Sequence, residues 1–454
     1  MTILYVAYLI ATVCFVLGIK QLGSPATARQ GNVISSLGML IGVVATLFDT
    51  GIIELPLILG GILFGCLVGI VAARFVAMTA MPEMVALLNG FGGGSSLLLA
   101  IGAYLVLPML SIPLAVITFF SIIIGGLTLT GSFVAWAKLA GHCPTRPMSL
   151  PAQPLFLSLL VISIVGAVGL FCVGYMPVYM VLFVVVASLI LGVLSVLAIG
   201  GGDMPVVIAL LNSYSGIAAA AAGLVVGNVL LVVAGLLVGA SGLILTTIMC
   251  KAMNRSLNHV LFGGFGGVVQ KKGEAKDQGK VNPIVADDAF FVLEAARNVV
   301  IVPGYGMAVA QAQHVVKELA DLLQQNGCMV RYAIHPVAGR MPGHMNVLLA
   351  EANVDYDQLC EMDAVNPTID RVDVCLVIGA NDVVNPAALD DQSSPIYGMP
   401  IIEVTKAKTV FVLKRSMNPG FSGIQNSLFF SDNTRMLFGD AKQSIQALIA
   451  EFKD

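Results

Sequence analysis

The stretch Val299-Val300-Ile301-Val302-Pro303-Gly304-Tyr305-Gly306-Met307-Ala308-Val309 decides the fold of the C-terminal part of this chain. Its apolar, β-branched half predicts a buried strand, and the Gly-x-Gly-x-x-Val turn that follows passes into a helical pattern. Gly304 permits a tight turn, Gly306 lets backbone N–H groups approach a pyrophosphate, and a helix N-terminus carries partial positive charge. The stretch therefore predicts a nucleotide site.

Strand and helix patterns alternate on both sides of this turn. Further strands are predicted at residues 328–334, 372–378, 401–404 and 409–413. The helix after the turn is predicted to have an apolar face that consists of Val309, Val315, Val316, Leu319, Leu322 and Leu323. Such alternation predicts an α/β doubly wound parallel sheet of the Rossmann-like type, here over residues 289–454.

The end of the second predicted strand indicates which nucleotide binds. An NAD site has an acidic residue there for the ribose hydroxyls, but residues 328–334 end without one. Arg340 and the run Lys414-Arg415-Ser416 instead suit a phosphorylated ribose, so NADP is favoured over NAD. Two alternatives stay open, namely that Lys414 and Arg415 form a solvated strand end and that Asp382 only caps a loop.

The first half of the chain has the composition of a polytopic membrane protein. Of all residues 57% are hydrophobic and 11% charged, and most of the charge lies in the C-terminal half. Apolar runs of about 20 residues can span a bilayer. Nine runs occur, at residues 2–19, 33–48, 55–73, 84–107, 113–137, 155–173, 178–199, 204–223 and 225–250. A helical membrane domain is predicted over 1–262, and a flexible Gly-, Lys- and Asp-rich linker over 263–288.

Charge placement predicts the orientation of these helices. With the N-terminus outside, the basic residues before Leu257 all fall on the cytoplasmic side, whereas Asp49 and Glu54 fall outside. The C-terminal domain is then cytoplasmic. The eight cysteines show no C-x-x-C spacing, and no basic cluster occurs, so neither a metal site nor a nucleic-acid partner is predicted.

An internal repeat marks the membrane domain. Residues 81–93 (MPEMVALLNGFGG) resemble residues 204–216 (MPVVIALLNSYSG), and each copy places an asparagine, Asn89 or Asn212, about 10 Å into its helix. These amides, with Ser213, either bond neighbouring helices across small-residue surfaces or line a proton-conducting path. Glu83 and Asp203, at the helix starts, act either as N-terminal caps or as a functional gate.

Several longer motifs resemble one family, the β subunit of the proton-translocating NAD(P) transhydrogenase. They are Pro303–Gln313 (PGYGMAVAQAQ), His335–His344 (HPVAGRMPGH), Gly379–Asp382 (GAND), Lys414–Met417 (KRSM) and Met249–Arg255 (MCKAMNR). The resemblance covers essentially the whole chain. It implies nine membrane helices and an NADP(H) domain that holds its nucleotide in a reversed orientation, so no pyrophosphate contact is expected at the glycine turn.

The resemblance also implies the residues that contact NADP(H), with Lys414, Arg415 and Ser416 at the 2′-phosphate. Val383 stands where threonine is familiar and Phe421 where tyrosine is, so each of these side chains lacks the hydroxyl group of the familiar residue. The full set, with the two glycines of the turn, is Gly304, Tyr305, Gly306, Val337, Ala338, Gly339, Arg340, Met341, Pro342, Gly379, Ala380, Asn381, Asp382, Val383, Gly398, Met399, Lys414, Arg415, Ser416, Met417, Asn418, Pro419, Gly420, Phe421, Asp440 and Ala441.

In many relatives the position of Asn89 is a histidine regarded as part of the proton path, and asparagine cannot titrate near neutral pH. The titrating group is then Asp203, Glu83 or water ordered by Asn89, Asn212 and Ser213. Asp203 and Asn212 match family positions tied to proton translocation and its coupling to NADP.

The resemblance implies hydride transfer from NADH to NADP⁺, driven by protons that move inward. A separate α subunit must bind NADH, in an α2β2-type assembly in a bacterial plasma (inner) membrane. The alternative is a channel or transporter gated by a regulatory NADP-binding domain. A membrane-tethered dehydrogenase would need a substrate pocket and an acid–base residue, which the sequence does not offer, and one or two spans would suffice for it.

Overall fold

The computed structural model describes residues 2–48, 55–106, 111–262, 280–392, 394, 396–420 and 422–453. The chain divides into two compact units. One holds the described residues up to Gly201, Val207–Thr246 and residues 261–262. The other holds Gly202–Val206, Thr247–Val260 and the described residues from 280 onward. Two short segments, each of which includes one end of a long apolar helix, therefore belong to the same unit as the C-terminal domain.

Within the described residues, nine helices are long and apolar enough to cross a membrane, which confirms the predicted polytopic domain. The largest difference from the predicted runs is at the second helix, which begins at Pro25 rather than at residue 33. Its polar first turns lower the hydropathy without preventing helix formation. The nine are α1 (Thr2–Leu22), α2 (Pro25–Leu47), α3 (Leu55–Phe75), α4 (Met81–Val106), α5 (Ile112–Leu139), α6 (Gln153–Cys172), α7 (Pro177–Leu197), α8 (Met204–Val226) and α9 (Val229–Ala252).

Small residues let these helices pack closely. A Cβ atom on Gly93 of α4 would lie 2.8 Å from the carbonyl oxygen of Gly125 on α5, and one on Gly216 of α8 would lie 2.8 Å from that of Gly235 on α9. Interfaces of this kind are expected in a bilayer, where dispersion contacts rather than the hydrophobic effect join helices. The small-residue surfaces predicted along α4 and α8 are thus helix interfaces.

Lys138, in the last turn of α5, is buried at the end of α7. Its ammonium group donates to the carbonyl oxygens of Leu197 at 2.6 Å and Ile199 at 2.7 Å. Gln153 adds a hydrogen bond to the Leu194 carbonyl at 2.7 Å. The last carbonyls of a helix lack intrahelical partners and carry partial negative charge, so these contacts fix the end of α7.

The two copies of the internal repeat begin in the same way. A 3-10 turn, Met78–Ala80, precedes α4, and a second one, Gly201–Asp203, precedes α8. Each long helix then starts at the methionine of its Met-Pro pair, because proline is tolerated in a first helical turn. Sequence similarity in the repeat therefore corresponds to similar local structure.

The C-terminal domain is a six-stranded parallel sheet in the order β3-β2-β1-β4-β5-β6. The chain reverses direction across the sheet between β1 and β4, where doubly wound folds form their ligand crevice. The sheet confirms the predicted fold class. Its strands are β1 (Asn298–Pro303), β2 (Met329–Ile334), β3 (Leu359–Glu361), β4 (Val374–Ile378), β5 (Thr409–Lys414) and β6 (Thr434–Phe438).

Two details of the predicted strands are wrong. Residues 401–404 form no strand: Ile401 and Ile402 are buried, but the chain passes into a 3-10 turn, Val404–Lys406. An apolar run can fill a core without joining a sheet, and that explains the error. The edge strands β3 and β6 were not predicted, since β3 has three residues and β6 contains Arg435.

The helix after the glycine turn is also interrupted. The chain forms a short helix, breaks at Gln311, whose φ is +48°, and then starts a second one. Val309 is consequently exposed rather than part of the apolar face, whereas Val316 and Leu319 are buried as predicted. The helices of the second unit are α10 (Leu257–Phe262), whose last two residues fall outside that unit, α11 (Ala286–Ala295), α12 (Tyr305–Val309), α13 (Gln313–Gln325), α14 (His344–Glu351), α15 (Met362–Val365), α16 (Ala387–Asp390) and α17 (Ala441–Lys453).

The described part of the domain begins at the edge of β6. Pro283 forms a parallel bridge with Met436, and the Ile284 N–H donates to the Met436 carbonyl oxygen at 3.0 Å. Residues 282–288 of the predicted linker thus pair with the sheet or enter α11. Residues 263–279 lie outside the described part of the chain, as do Asp49 and Glu54.

Candidate nucleotide site and membrane acid

Most predicted nucleotide contacts lie in loops at the carboxyl ends of the strands. Tyr305 follows β1, Arg340 lies in the loop after β2, Asp382 follows β4, and Arg415 follows β5. In a parallel sheet these ends meet at one edge. The fold therefore brings together side chains that are far apart in sequence. Gly398 and Met399 lie instead in the connection between α16 and β5, and Phe421 lies outside the described residues.

The glycine turn contacts the loop after β4, backbone to backbone. The Gly304 N–H donates to the Ile378 carbonyl oxygen and the Gly306 N–H to that of Gly379, both at 2.9 Å. A Cβ atom on Gly306 would lie 2.6 Å from the Gly379 Cα atom. These glycines are thus required for close approach of two loops. Because both N–H groups already have partners, the pyrophosphate contact inferred from the turn alone is not available to them.

Arg340, Tyr305 and His344 form a cluster beside this turn. The Arg340 guanidinium lies 4.4 Å from the centre of the Tyr305 ring, within the range of a cation–π contact. The Arg340 backbone N–H donates to the His344 Nδ1 atom at 3.1 Å. His344 is fully buried, and no partner lies within hydrogen-bonding distance of its Nε2 atom among the described residues. The histidine therefore holds the loop that carries Arg340.

His335 holds the start of the same loop. Its Nε2–H group donates to the Pro400 carbonyl oxygen at 2.8 Å, and its Nδ1 atom accepts from the Val337 N–H at 3.2 Å. Burial lowers the pKa of His335, so the ring stays neutral and can accept and donate at once. Sequence reasoning missed this role because the partner, Pro400, is distant in sequence.

The loop after β5 is hydrogen-bonded to the loop after β4. The Asp382 carboxylate accepts from the Ser422 N–H at 2.9 Å and from its hydroxyl at 2.7 Å. Asn426 donates to the Asn381 carbonyl oxygen at 3.0 Å. Asp382 therefore orders a loop, as one of the two sequence interpretations held, and its contact with a nucleotide stays a prediction.

The two basic residues at the end of β5, Lys414 and Arg415, differ in their exposure to solvent. The Lys414 ammonium lies 4.7 Å from the centre of the Phe429 ring, and burial lowers its pKa. Arg415 is exposed. After β6, the Asp440 carboxylate accepts from the Lys442 N–H at 3.1 Å, at the start of α17. Cations are thus present near the sheet edge where the sequence predicted them.

Asp203 is paired with an arginine. One nitrogen of the Arg255 guanidinium lies 3.0 and 3.1 Å from the two carboxylate oxygens of Asp203, and both side chains are mostly shielded from solvent. Asp203 thus forms an ion pair at the start of α8, and a role as a functional gate stays a prediction. Sequence reasoning did not identify this partner because 52 residues separate the two.

The remaining proton-path candidates lie on α4 and α8. The buried Asn89 amide donates to the Ile208 carbonyl oxygen at 3.2 Å, and the Ser213 hydroxyl donates to that of Gly239 at 2.7 Å. Asn212 is half-buried, and Glu83 lies in the first turn of α4. Asn89 and Ser213 therefore join helices, and a role in proton movement stays a prediction. Ser132, which sequence reasoning missed, is buried, and its hydroxyl has no partner among the described residues.

Comparison with known proteins identifies the family. A sequence model of the NAD(P) transhydrogenase beta subunit matches residues 4–451. The chain belongs to this family. Two curated relatives from Rhodospirillum rubrum, one of them from a specified strain, are both named NAD(P) transhydrogenase subunit beta. Each is 46% identical to this chain over 455 residues, which cover 98% of this chain and 97% of the relative.

Membership fits both parts of the structure. The family is one of proton-translocating transhydrogenases, and this β subunit combines membrane-spanning helices with a Rossmann-like domain. It is therefore a multi-pass subunit of a membrane enzyme. The beta-subunit name of the relatives implies an α subunit as partner, and the family implies NADP binding.

The C-terminal domain of this transhydrogenase subunit should lose stability in mild acid. Burial and the neighbouring Arg340 cation lower the pKa of His344 from 6.5 to about 4. Between these values the unfolded chain binds a proton that the folded chain does not, so the free energy of unfolding falls as pH falls through this window. The full effect is about 3 kcal/mol, and His335 acts in the same direction.

Scanning calorimetry of the full chain in detergent at pH 7.5 and pH 5.0 measures this effect. We expect a lower unfolding temperature for the domain at pH 5.0, and a smaller difference between the two pH values in His344→Gln. A pH-dependent difference in His344→Gln as large as in the parent would contradict the assignment of this effect to His344.

Proposed function

We propose that this chain binds NADP(H) at the carboxyl edge of its sheet. Hydride passes between that nucleotide and NAD(H) on a partner α subunit, coupled to proton movement through the membrane helices. The observation that carries the proposal is the charge distribution at this edge. β2 ends at Ile334 and is followed by His335 rather than by an acid, whereas Arg340, Lys414 and Arg415 supply cations.

The residues present fit a phosphorylated dinucleotide. Guanidinium and ammonium groups bind phosphate dianions, and the Asn381 side-chain nitrogen is buried with no partner among the described residues. A buried donor without a partner costs free energy that a ligand oxygen can recover. Lys414, Arg415 and Ser416 would hold the 2′-phosphate, and Arg340 with Tyr305 would line the same crevice.

NADP supplies the hydride chemistry, and the protein residues bind, orient and exclude water. The loop that Asp382 holds would cover the nucleotide, since its hydrogen bonds to Ser422 tie the loops after β4 and β5 together. Hydride transfer needs two nicotinamide rings in contact, and therefore depends on orientation more than on an acid–base residue.

For the proton, Asp203 is the group we favour. Carboxylates titrate whereas the amides of Asn89 and Asn212 do not, and Asp203 already interacts with a cation, Arg255, that is sensitive to its charge. Glu83 or ordered water would be the other carriers. Orientation with the N-terminus outside, a cytoplasmic NADP domain, an α2β2-type assembly and a bacterial plasma (inner) membrane complete the proposal.

Reconstitution tests this function. The chain and its α partner are placed in liposomes, and NADPH formation from NADH is measured with and without an inward proton gradient. We expect acceleration by the gradient and loss of that acceleration with an uncoupler. Tight NADP binding without hydride exchange under either condition would favour the gated channel or transporter instead.

The 2′-phosphate assignment predicts a specific effect of Arg415→Ala. Loss of a charge-assisted hydrogen bond to phosphate should raise KM for NADPH by roughly tenfold or more, with a smaller change in kcat. The matched control is Arg435→Ala, which removes an arginine from β6 that donates to the Asp432 carbonyl oxygen at 2.6 Å. An unchanged KM in Arg415→Ala would favour the solvated strand end.

A further inference from the structure

Asn254 lies two residues beyond α9 and bonds to a turn of the nucleotide domain. Its side-chain nitrogen donates to the Tyr397 carbonyl oxygen at 2.7 Å. Both residues belong to the second compact unit. The φ of Asn254 is +48°, in the left-handed region that asparagine tolerates better than most residues at helix ends. The end of α9 therefore presents an amide to this turn.

The turn is shaped to accept that amide. Gly398 has a φ of +76°, and a Cβ atom there would overlap the Asn254 side-chain nitrogen and lie 3.1 Å from its amide carbon. The Gly398 N–H donates to the Ala388 carbonyl oxygen at 2.8 Å, which fixes the other side of the turn. Glycine is required here both for its backbone conformation and for the space that Asn254 occupies.

Hydrogen bonds continue from the turn to the loop that carries Arg340. Pro400, two residues past Gly398, accepts from His335, and the other ring nitrogen of His335 accepts from the Val337 N–H. The residue that follows Asn254 in the chain is Arg255, which pairs with Asp203. Two residues that are adjacent in sequence thus contact the Tyr397–Gly398 turn, through Asn254, and the Asp203 carboxylate, through Arg255.

We propose that Asn254 is a positioning residue for the nucleotide site. Its amide fixes the Tyr397–Gly398 turn, and its neighbour Arg255 makes the position of that amide depend on Asp203. The inference rests on the proposed binding of NADP at this edge of the sheet. It adds the residue through which the state of Asp203 alters nucleotide affinity.

Asn254→Ala and Asn254→Asp test the contact in the full chain with its α partner. Alanine removes the donor, and aspartate keeps the shape but places a carboxylate against a carbonyl oxygen. We expect KM for NADPH to rise roughly tenfold in both, with a smaller change in kcat. The control is Asn433→Ala, because the amide of Asn433, just before β6, donates to the Thr405 and Ala407 carbonyl oxygens, which precede β5. That control should lower stability and leave KM unchanged.

A double-mutant cycle separates positioning of the turn from general destabilisation. Gly398→Ala should raise KM strongly by displacing Asn254, and adding Asn254→Ala should give a double variant no worse than Gly398→Ala alone. In a second double-mutant cycle, Asp203→Asn should shift KM for NADPH in the parent protein and shift it less in Asn254→Ala. Additive effects in both cycles would overturn the proposal.

The outcomes also separate this inference from the proposed function. A parent protein that binds no NADP, measured by equilibrium dialysis with NADPH, would contradict the function itself. A parent that binds NADP normally, together with Asn254 variants of unchanged KM, would contradict only the role of Asn254.

Discussion

Asp203→Asn is expected to reduce proton-coupled hydride transfer by about two orders of magnitude, as loss of a proton-transfer group typically does. The substitution keeps the shape of the side chain and removes its charge and its titration. It also leaves the partly shielded Arg255 guanidinium without its anionic partner. An uncompensated, partly buried cation is unfavourable, so Arg255 should move and NADP(H) affinity should change.

The measurement is the rate of NADPH formation in liposomes, together with KM for NADPH in the reverse reaction, in which NADPH reduces NAD⁺. Asp373→Asn is the matched control, because Asp373 also pairs with a cation, Lys408, at 2.8 Å but lies between strand starts rather than at the nucleotide edge. Asp373→Asn should lower stability with little effect on the rate. Parental coupled rates and NADPH affinity in Asp203→Asn would remove Asp203 from the mechanism.

Gly304→Ala is expected to destabilise the nucleotide domain by about 3 kcal/mol or more. The backbone of Gly304 is extended, with a φ of −125°, and alanine adopts this conformation freely. The cost comes from space: the added methyl carbon would overlap the Ala380 backbone and lie 2.5 Å from the Gly379 carbonyl oxygen. Two backbone segments must then separate where the loops after β1 and β4 meet.

Gly327→Ala is the control, because Gly327 has a left-handed backbone conformation but open space around an added Cβ atom. Gly327 has a φ of +79°, and the nearest atom to an added Cβ is a side-chain nitrogen of Arg297 at 3.7 Å. Its cost should be only the strain of the left-handed conformation, about 1 kcal/mol. Hydrogen exchange of the β1 peptide in the full chain measures both variants. Equal protection of β1 in Gly304→Ala and the parent would contradict the close approach of the two loops.

Local patterns predicted most of the fold because they report burial directly. Nine apolar runs became nine helices in the described residues, and the β-branched runs at β1, β4 and β5 became central strands. The errors in strand prediction occurred where a buried segment forms no strand hydrogen bonds, or where a hydrogen-bonded strand has no continuous apolar run. Ile402 is buried outside any strand, and β6, with Arg435 at the sheet edge, is a strand without a continuous apolar run.

The predicted chemical type of the candidate site also rests on sequence alone. The absence of an acid after β2 and the presence of Arg340 and Lys414–Met417 require only residue types and strand order. The roles of the supporting residues were not readable. His335 bonds to Pro400, Asp382 to Ser422, and the partners in each pair are separated by 65 and 40 residues.

The sequence alone thus determined the membrane class and the parallel sheet, because periodicity is a property of short segments. Its prediction of a site for a phosphorylated ribose rests on side-chain charge, which is local in the same way. Only the tertiary structure decided what the glycine turn does and which residues contact Asp203 and Gly398. Those contacts depend on distances of about 3 Å between segments that meet only after folding, and no local pattern encodes such distances.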